Sequence, residues 1–302
     1  MKIEITGASG FVGENIQKFL SINNEIIPLS VRYVEGQKFE LNSNAIIHLA
    51  GKAHDLKKVS NPDDYYKSNF ELTKQLFDAF ILSDVSVFIF MSTVKASADE
   101  VSSKLTEESI PNPKTHYGIA KFKAEEYIQS IPLPENKKVF ILRPCMIHGP
   151  GNKGNLNLLY KIVSKKIPWP LGSFENSRSF LSIGNLIFVI NELLENKKIP
   201  SGIYNVCDDQ SLSTNQLVTI ISSELNIKPV IWRIPKFVVK FIAKSGDILR
   251  LPLDSERLQK LTESYEVSND KIKQFLGKEM PITAELGIRE TINSFKINKH
   301  FI

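Results

Sequence analysis

Cysteine is scarce in this chain: Cys145 and Cys207 are the only two among 302 residues. They lie far apart, so they form neither a C-x-x-C metal or redox motif nor the framework of a disulfide-rich domain. The five histidines also show no spacing that is typical of metal ligands. The sequence therefore predicts two buried thiols and no metal site.

Long hydrophobic runs are missing as well. No apolar run approaches the length of about 18 residues that a membrane-spanning helix needs. The first residues enter a strand-like run directly, without the charged and then apolar stretches of a secretory leader. We therefore expect a cytoplasmic protein without a membrane partner.

Positive charge is only slightly in excess: the net charge is +5 at pH 7, and the lysines are scattered along the chain. The absence of a basic tract interleaved with aromatic residues argues against a dedicated nucleic-acid binder, while a mild positive charge suits an anionic substrate. The hydrophobic content of 42% and the charged content of 24% are ordinary for a globular enzyme. The length allows one large domain or two coupled domains.

Glycine is sparse overall, yet three glycines stand at regular spacing in the stretch Thr6–Gly13, which reads TGASGFVG. A short apolar run precedes this stretch, and apolar residues at helical spacing follow it. In a strand–turn–helix of this kind, Gly7 allows the tight turn, Gly10 lets backbone N–H groups approach a pyrophosphate, and Gly13 allows close packing. The pattern predicts dinucleotide binding. The alternative is a loop that is rich in glycine by chance.

Apolar strand-like runs alternate with helix-like stretches through the first half of the chain. This alternation predicts an α/β fold with a doubly wound parallel sheet of the Rossmann type and a smaller C-terminal α/β lobe. We expect a dinucleotide-binding domain over residues 1–150, with a returning strand near 202–209, and mainly a substrate-binding lobe over 151–302, where two helical stretches precede a charged, Pro-interrupted end. The predicted strands are Met1–Ile5, Glu25–Val31, Asn44–Gly51, Val85–Thr93, Lys137–Pro144 and Gly202–Asp209, and the clearest helices are Ser68–Ile81 and Tyr117–Ile131.

Three polar residues suggest proton-transfer chemistry at the carboxyl edge of this sheet. Thr93 ends the fourth predicted strand, and Tyr117 and Lys121 follow at the i, i+4 spacing that places both on one helix face. A phenol ionises near pH 10, so an acid/base tyrosine working near neutrality needs its pKa lowered by roughly three units. A neighbouring lysine and an oxidised nicotinamide, both cationic, would supply that effect. The alternatives are a strand-end cap for Thr93 and a solvated helix position for Lys121.

Taken together, these motifs resemble the extended short-chain dehydrogenase/reductase family, which includes nucleotide-sugar epimerases, dehydratases and reductases. Besides the glycine turn and the Y-x-x-x-K pair, the resemblance covers HLAG at His48–Gly51 and RPCMIHGP at Arg143–Pro150. It extends over essentially the whole chain and is closest to bacterial polysaccharide-pathway enzymes that act on UDP-linked N-acetylhexosamines.

The resemblance implies roles for individual residues. Tyr117 would be the acid/base, Thr93 would hydrogen-bond the reacting oxygen, and Lys121 would lower the pKa of Tyr117 and hold the nicotinamide ribose. Asn155, Arg178 and, more weakly, Arg257 would contact the substrate diphosphate, while a surface salt bridge is the alternative for Arg178. The family also implies a homodimer. The remaining cofactor contacts implied are Gly7, Ser9, Gly10, Phe11, Val12, Gly13, Leu49, Ala50 and Gly51.

Two departures from the family pattern bear on the reaction. A dehydratase of this family has Asp-Glu after the catalytic threonine, whereas Val94 and Lys95 follow Thr93 here. The end of the second strand carries Ser30 and Arg32 in place of the acid that holds the adenosine ribose in NAD-binding members, which favours NADP(H) over NAD(H). We therefore lean to a 4-keto-6-deoxy sugar reductase. An NAD-dependent UDP-sugar 4-epimerase and a non-catalytic dinucleotide sensor are the alternatives.

Overall fold

The computed structural model describes residues 1–53, 61–152, 154–249 and 254–297, without the side chains of Asn155, Ile248 and Leu249. The chain divides into two compact units. Unit 1 comprises Met1–Cys145, Asn185–Cys207 and Ser268–Met280, and unit 2 comprises Met146–Gly184, Asp208–Val267 and Pro281–Ile302.

The described residues form strands and helices that alternate over the first half of the chain. The strands are β1 (Lys2–Thr6), β2 (Glu25–Leu29), β3 (Ala45–His48), β4 (Val87–Met91), β5 (Lys138–Pro144), β6 (Met146–His148), β7 (Phe180–Ser182) and β8 (Gly202–Val206). The α-helices are α1 (Phe11–Leu20), α2 (Pro62–Tyr66), α3 (Leu72–Leu82), α4 (His116–Ser130), α5 (Asn155–Ser164), α6 (Ile183–Glu195), α7 (Thr214–Glu224), α8 (Lys236–Leu249), α9 (Ser255–Thr262), α10 (Asp270–Leu276) and α11 (Ala284–Ile297).

Unit 1 is built on a six-stranded sheet in the order β2-β1-β3-β4-β5-β8. Every neighbouring pair in it is parallel. The chain passes from β1 to β2 on one side and then to β3 on the other, so the loops after β1 and β3 meet at the topological switch point, where such sheets bind ligands. The predicted α/β doubly wound fold is confirmed, including the returning strand near residue 202.

The central strands of the unit 1 sheet are covered on both faces, so even polar residues in them are buried. All four residues of β3 are buried. Glu4 in β1 is only 5% exposed, and its carboxylate accepts hydrogen bonds from the Asn42 N–H at 3.2 Å and the Ser43 hydroxyl at 3.1 Å. On one face, Phe77 of α3 packs edge-on against Phe88 of β4, with ring centroids 5.3 Å apart. This packing fixes the strands whose ends carry the candidate site.

The structure differs from the sequence expectation in several elements. The predicted helix over 68–81 corresponds to a π-helical turn at Lys67–Glu71 and α3, and the helical stretch starts earlier than predicted, with α2 at Pro62. Unit 2 contains a second, two-stranded parallel sheet of β6 and β7, which the sequence does not signal because each strand has three residues. After β8 the described residues form five helices where the sequence indicates two clear helical stretches.

Cys145 and Cys207 are both buried free thiols, as predicted. Within the described ranges, no helix is long and apolar enough to cross a bilayer.

Candidate functional site

The glycine turn after β1 is shaped by two close backbone approaches. Gly7 has a φ of +67°, and a Cβ there would lie 2.8 Å from the Ala50 nitrogen. A Cβ on Gly13 would lie 2.4 Å from the Gly7 oxygen, so any side chain at Gly13 would push α1 away from the turn. Helix α1 therefore begins directly at the switch point, with Gly10 at its N-cap position.

The start of α1 fits a dinucleotide diphosphate. The first N–H groups of a helix have no acceptor within the helix, and the helix dipole favours an anion there. Those groups belong here to Phe11, Val12 and Gly13, and the Ser9 and Gly10 that precede them are exposed. Small residues, an accessible helix N-terminus and a tight turn together form a cradle of the kind a pyrophosphate requires.

A buried histidine ties the loop after β3 to this turn. His48 Nε2 lies 2.9 Å from the Thr73 hydroxyl, which itself donates to the Asn69 carbonyl at 2.9 Å. Thr73 must therefore accept from Nε2–H, and burial lowers the pKa of His48 well below 6.5, so its Nδ1 is an acceptor. The Thr6 hydroxyl therefore donates a hydrogen bond to Nδ1 at 2.7 Å.

The same Thr6 oxygen then accepts two backbone N–H groups, those of Leu49 and Ala50, both at 3.1 Å. Every hydrogen-bonding position of the Thr6 hydroxyl is used. This network holds the residues predicted to bind the cofactor after β3, namely Leu49, Ala50 and Gly51, against the glycine turn. The sequence contains the HLAG motif but gives no sign of its partners Thr6 and Thr73.

Thr93 and Tyr117 come together at the carboxyl end of β4. The Thr93 side chain lies beside the Tyr117 phenol, close enough to lower the pKa of Tyr117. Gly118 permits this approach, because a Cβ at that position would lie 2.5 Å from the Lys95 carbonyl oxygen. The Thr115 hydroxyl caps α4 by accepting the Gly118 N–H at 3.2 Å. The start of α4 is thus fixed beside the strand end.

Lys121, one helical turn after Tyr117, is buried with 3% exposure. Its ammonium donates to the Met91 carbonyl at 2.8 Å and lies 4.6 Å from the centre of the Phe90 ring. Burial lowers the pKa of Lys121 to about 7, although the Glu125 carboxylate raises it in part. Lys121 therefore lies at the ends of β3 and β4 as a lysine that titrates near neutrality.

The pKa of Tyr117 shifts in the direction opposite to the one that acid/base catalysis near neutrality needs. Burial raises the pKa of Tyr117 to about 12, and the neighbouring Thr93 side chain offsets only part of that shift. Desolvation of the phenolate outweighs the single donor next to it. Without a bound cofactor, the protein does not show the expected lowering of the Tyr117 pKa by Lys121. For the enzyme with bound nicotinamide cofactor, this lowering stays a prediction.

A buried ion pair between α4 and β5 holds this helix, and no sequence pattern identifies its two members as partners. Arg143 Nε donates to both Glu125 oxygens at 3.1 Å, Nη2 donates to Oε2 at 2.5 Å, and the Ser92 hydroxyl also donates to Glu125. Both charged side chains are almost fully buried. The pair links α4 to β5 one helical turn after Lys121.

Ser30 and Arg32 follow the carboxyl end of β2, and both are exposed. They are therefore accessible to a ligand bound at the edge of the sheet.

The substrate candidates Asn155, Arg178 and Arg257 all belong to unit 2. Asn155 is the first residue of α5, and its side chain lies outside the described part of the chain. The Arg178 guanidinium donates to the Lys260 carbonyl at 3.1 Å and to Glu263 at 3.3 Å, so it contacts α9, the helix that carries Arg257. Arg257 is mostly exposed and pairs with Asp254 at 3.5 Å.

Comparison with known proteins gives consistent results. The profile described as NAD dependent epimerase/dehydratase family matches residues 3–207. A UDP-glucose 4-epimerase from Vibrio cholerae is 30% identical over 97% of this chain and 95% of the relative. A GDP-6-deoxy-D-mannose reductase from Pseudomonas aeruginosa is 24% identical over 73% of this chain and 79% of the relative.

The fold agrees with this assignment. The solved structure of MoeE5 in complex with UDP-glucose and NAD has a TM-score of 0.74 and 16% identity, and it covers 99% of this chain and 100% of that chain. The resemblance predicted from the motifs is confirmed: the chain belongs to the NAD dependent epimerase/dehydratase family and is an NAD(P)-dependent nucleotide-sugar enzyme.

Proposed function

We propose that the protein transfers a hydride between a nicotinamide dinucleotide and C4 of a nucleoside-diphosphate sugar, with Tyr117 exchanging the proton at the sugar oxygen. The observation that carries the proposal is the position of the Tyr117 phenol beside the Thr93 side chain at the carboxyl end of β4, with Lys121 one helical turn away at the same strand end. In a parallel sheet of this order, that edge is where ligands bind.

The residues around the switch point would hold the cofactor. The diphosphate would bind at the N-terminus of α1, with Gly7, Ser9, Gly10, Phe11, Val12 and Gly13 around it. Leu49, Ala50, Gly51 and Lys121 would contact the rest of the dinucleotide, and Arg32 would contact the adenosine end. The bound nicotinamide supplies or accepts the hydride.

The protein's own groups handle the proton. Tyr117 would give a proton to the sugar O4 during reduction or take it during oxidation, and Thr93 would donate a hydrogen bond to the same oxygen. Lys121, which donates to the Met91 carbonyl, would stabilise the phenolate once the proton has left.

We infer net reduction of a 4-keto-6-deoxy sugar as the leading reaction. The exposed Ser30 and Arg32 suit the 2′-phosphate of NADPH. UDP-linked N-acetylhexosamines are the substrate class we favour.

A 4-epimerase is the second candidate, and the Vibrio cholerae relative named UDP-glucose 4-epimerase supports it. An epimerase removes the hydride and returns it to the other face of the same sugar, so it consumes no cofactor. Dehydration is disfavoured, because Val94 and Lys95 occupy the positions after Thr93 and offer no carboxylate.

Arg178 is the residue of unit 2 that we propose for a diphosphate. An arginine fork matches phosphate oxygens in two parallel hydrogen bonds. Its present partners, the Lys260 carbonyl and Glu263, hold the side chain in one orientation at partial exposure. The roles of Asn155 and Arg257, and a homodimer, stay predictions from the family resemblance.

Isotope transfer separates the two reactions. The purified protein would be incubated with NADPH that carries deuterium on the transferable position and with a UDP-linked 4-keto-6-deoxy-N-acetylhexosamine. A reductase gives one deuterium at sugar C4 and one NADP⁺ per product. In a second incubation, a UDP-hexose replaces the 4-keto sugar. Interconversion of its C4 epimers without deuterium uptake or cofactor consumption indicates the epimerase. No turnover of the 4-keto sugar or of the UDP-hexose contradicts the proposal.

A further inference from the structure

Helix α8 of unit 2 exposes large aromatic side chains. Phe237 and Phe241 are 75% and 71% exposed, and their spacing of four residues places both rings on one face. Trp232, four residues before the helix, is 55% exposed as well. Single exposed apolar residues are ordinary, but aromatic residues clustered on one face mark an interaction surface.

This aromatic face is not the face with which α8 packs on its own unit. Val239 and Ala243 are buried and belong to the hydrophobic core of unit 2. At 100° per residue, Val239 lies about 200° around the helix from Phe241. The helix therefore has two apolar stripes. The stripe with Val239 and Ala243 is buried, and the stripe with Phe237 and Phe241 is exposed to solvent.

The segment that contains α8 is rich in basic residues, and the one acidic residue of the helix, Asp247, stands close to its C-terminal end. Residues 226–246 contain Lys228, Arg233, Lys236, Lys240 and Lys244 and no aspartate or glutamate. These five cations equal the net charge of +5 of the whole chain. The segment is thus a local concentration of positive charge in an otherwise balanced sequence.

The lysines of α8 stand beside the aromatic rings. Lys244 and Lys240 lie about 20° and 60° to one side of Phe237, whereas Phe241 lies about 40° to the other side. Within the described ranges, Lys236, Lys240 and Lys244 form no ion pair. The nearby Asp247 is itself bound by Ser255, whose N–H and hydroxyl donate to it at 2.8 and 2.7 Å.

We propose that the face formed by Phe237, Phe241, Lys240 and Lys244 docks on an anionic lipid surface, with α8 lying in the plane of the headgroups. Aromatic rings at the headgroup–acyl boundary, with lysines that reach anionic headgroups, are the pattern of an interfacial amphipathic helix. A second copy of this chain is a poorer partner, because a two-fold contact would oppose the same lysines.

The sequence expectation of no membrane partner rests on the absence of spanning-length runs. A helix that lies on a surface needs no such run, so the proposal departs from that expectation. The proposal concerns a surface of unit 2 and does not depend on the reaction that unit 1 catalyses.

Vesicle co-sedimentation tests the proposal with the full-length protein. Vesicles of phosphatidylethanolamine with phosphatidylglycerol are compared with vesicles of phosphatidylcholine alone. We expect binding to the anionic vesicles that weakens with added salt. The Phe237→Ser/Phe241→Ser variant should bind at least about tenfold more weakly, since two buried rings are lost, and Lys240→Gln should bind about fivefold more weakly.

Matched controls distinguish binding through this face from nonspecific adsorption to the vesicles. Leu82→Ser removes an apolar side chain that is 89% exposed in unit 1, and Lys197→Gln removes an exposed lysine elsewhere; both should bind as the wild type does. Equal binding of the double phenylalanine variant, or no binding to anionic vesicles, overturns the proposal. Self-association that this variant abolishes, without vesicle binding, overturns it in favour of a second copy.

Discussion

Burial makes the charged form of Lys121 unfavourable in the folded protein. Its pKa is about 7 in the folded protein, against 10.5 for an ordinary lysine. Between those values the unfolded chain binds a proton that the folded chain does not, so this group makes the folded protein more stable as pH rises from 7 towards 10.5. The folded state is therefore penalised at and below neutrality, where the ammonium is charged.

Lys121→Met should remove this pH dependence while keeping an apolar stem in place. Urea unfolding at pH 7 and pH 9, without added cofactor, should show a stability increase in the wild type that is smaller in the variant. Lys123→Met, at an exposed position of the same helix, should behave as the wild type does. An identical pH response in Lys121→Met would show that the lysine is not desolvated.

Glu125 is the residue whose loss should cost the most stability among those around the site. Glu125→Gln leaves the buried Arg143 cation without its carboxylate, and removing one partner of a buried pair destabilises by about 3–5 kcal/mol. Urea midpoints measure this loss. Glu126→Gln, at the exposed neighbouring position, should change stability by less than about 0.5 kcal/mol. A similar midpoint for both variants would contradict the role of the pair.

At the scale of the element, the start of α4 is defined by its contact with the turn after β4. Gly118→Ala would put a Cβ 2.5 Å from a carbonyl oxygen of that turn, so the helix must move and carry Tyr117 away from Thr93. Replacing a helix glycine normally stabilises by roughly 0.5–1 kcal/mol. Here we expect lower stability and a fall in kcat of about tenfold or more. A stable, fully active variant would exclude the contact.

The elements themselves were largely predictable from the sequence. The six strands of the large sheet follow from apolar runs, and the helix over 116–130 matches the helix-like stretch predicted at Tyr117–Ile131. The ion pair of Glu125 with Arg143 and the network from Thr6 through His48 to Thr73 were not predictable. They join residues far apart in sequence, and no local pattern records which buried polar groups will meet.

The pKa of Tyr117 shows the limit of motif-based reasoning. The Y-x-x-x-K spacing predicts a lysine on the same helix face, and Lys121 is indeed one turn away. The sequence cannot show that its ammonium donates to the Met91 carbonyl, nor that burial raises the phenol pKa to about 12. Desolvation depends on packing from several elements, which spacing along one helix does not contain.

At the scale of the whole molecule, unit 1 holds every residue that we assign to cofactor and proton transfer. Unit 2 holds the diphosphate candidates and the exposed α8 face. The family match over residues 3–207 spans the sheet of unit 1 through β8, while the α8 face lies beyond it. The chemistry and the proposed lipid contact are therefore separable by mutation.

The most direct test of the account is hydride transfer by Tyr117→Phe. Single-turnover rates with bound NADPH and a 4-keto sugar nucleotide would be measured for wild type and variant, with cofactor affinity measured in parallel. We predict a rate loss of about 10²–10⁴-fold, typical of a lost proton donor, with unchanged cofactor affinity. An undiminished rate in the variant would contradict the assignment of Tyr117 as the catalytic acid.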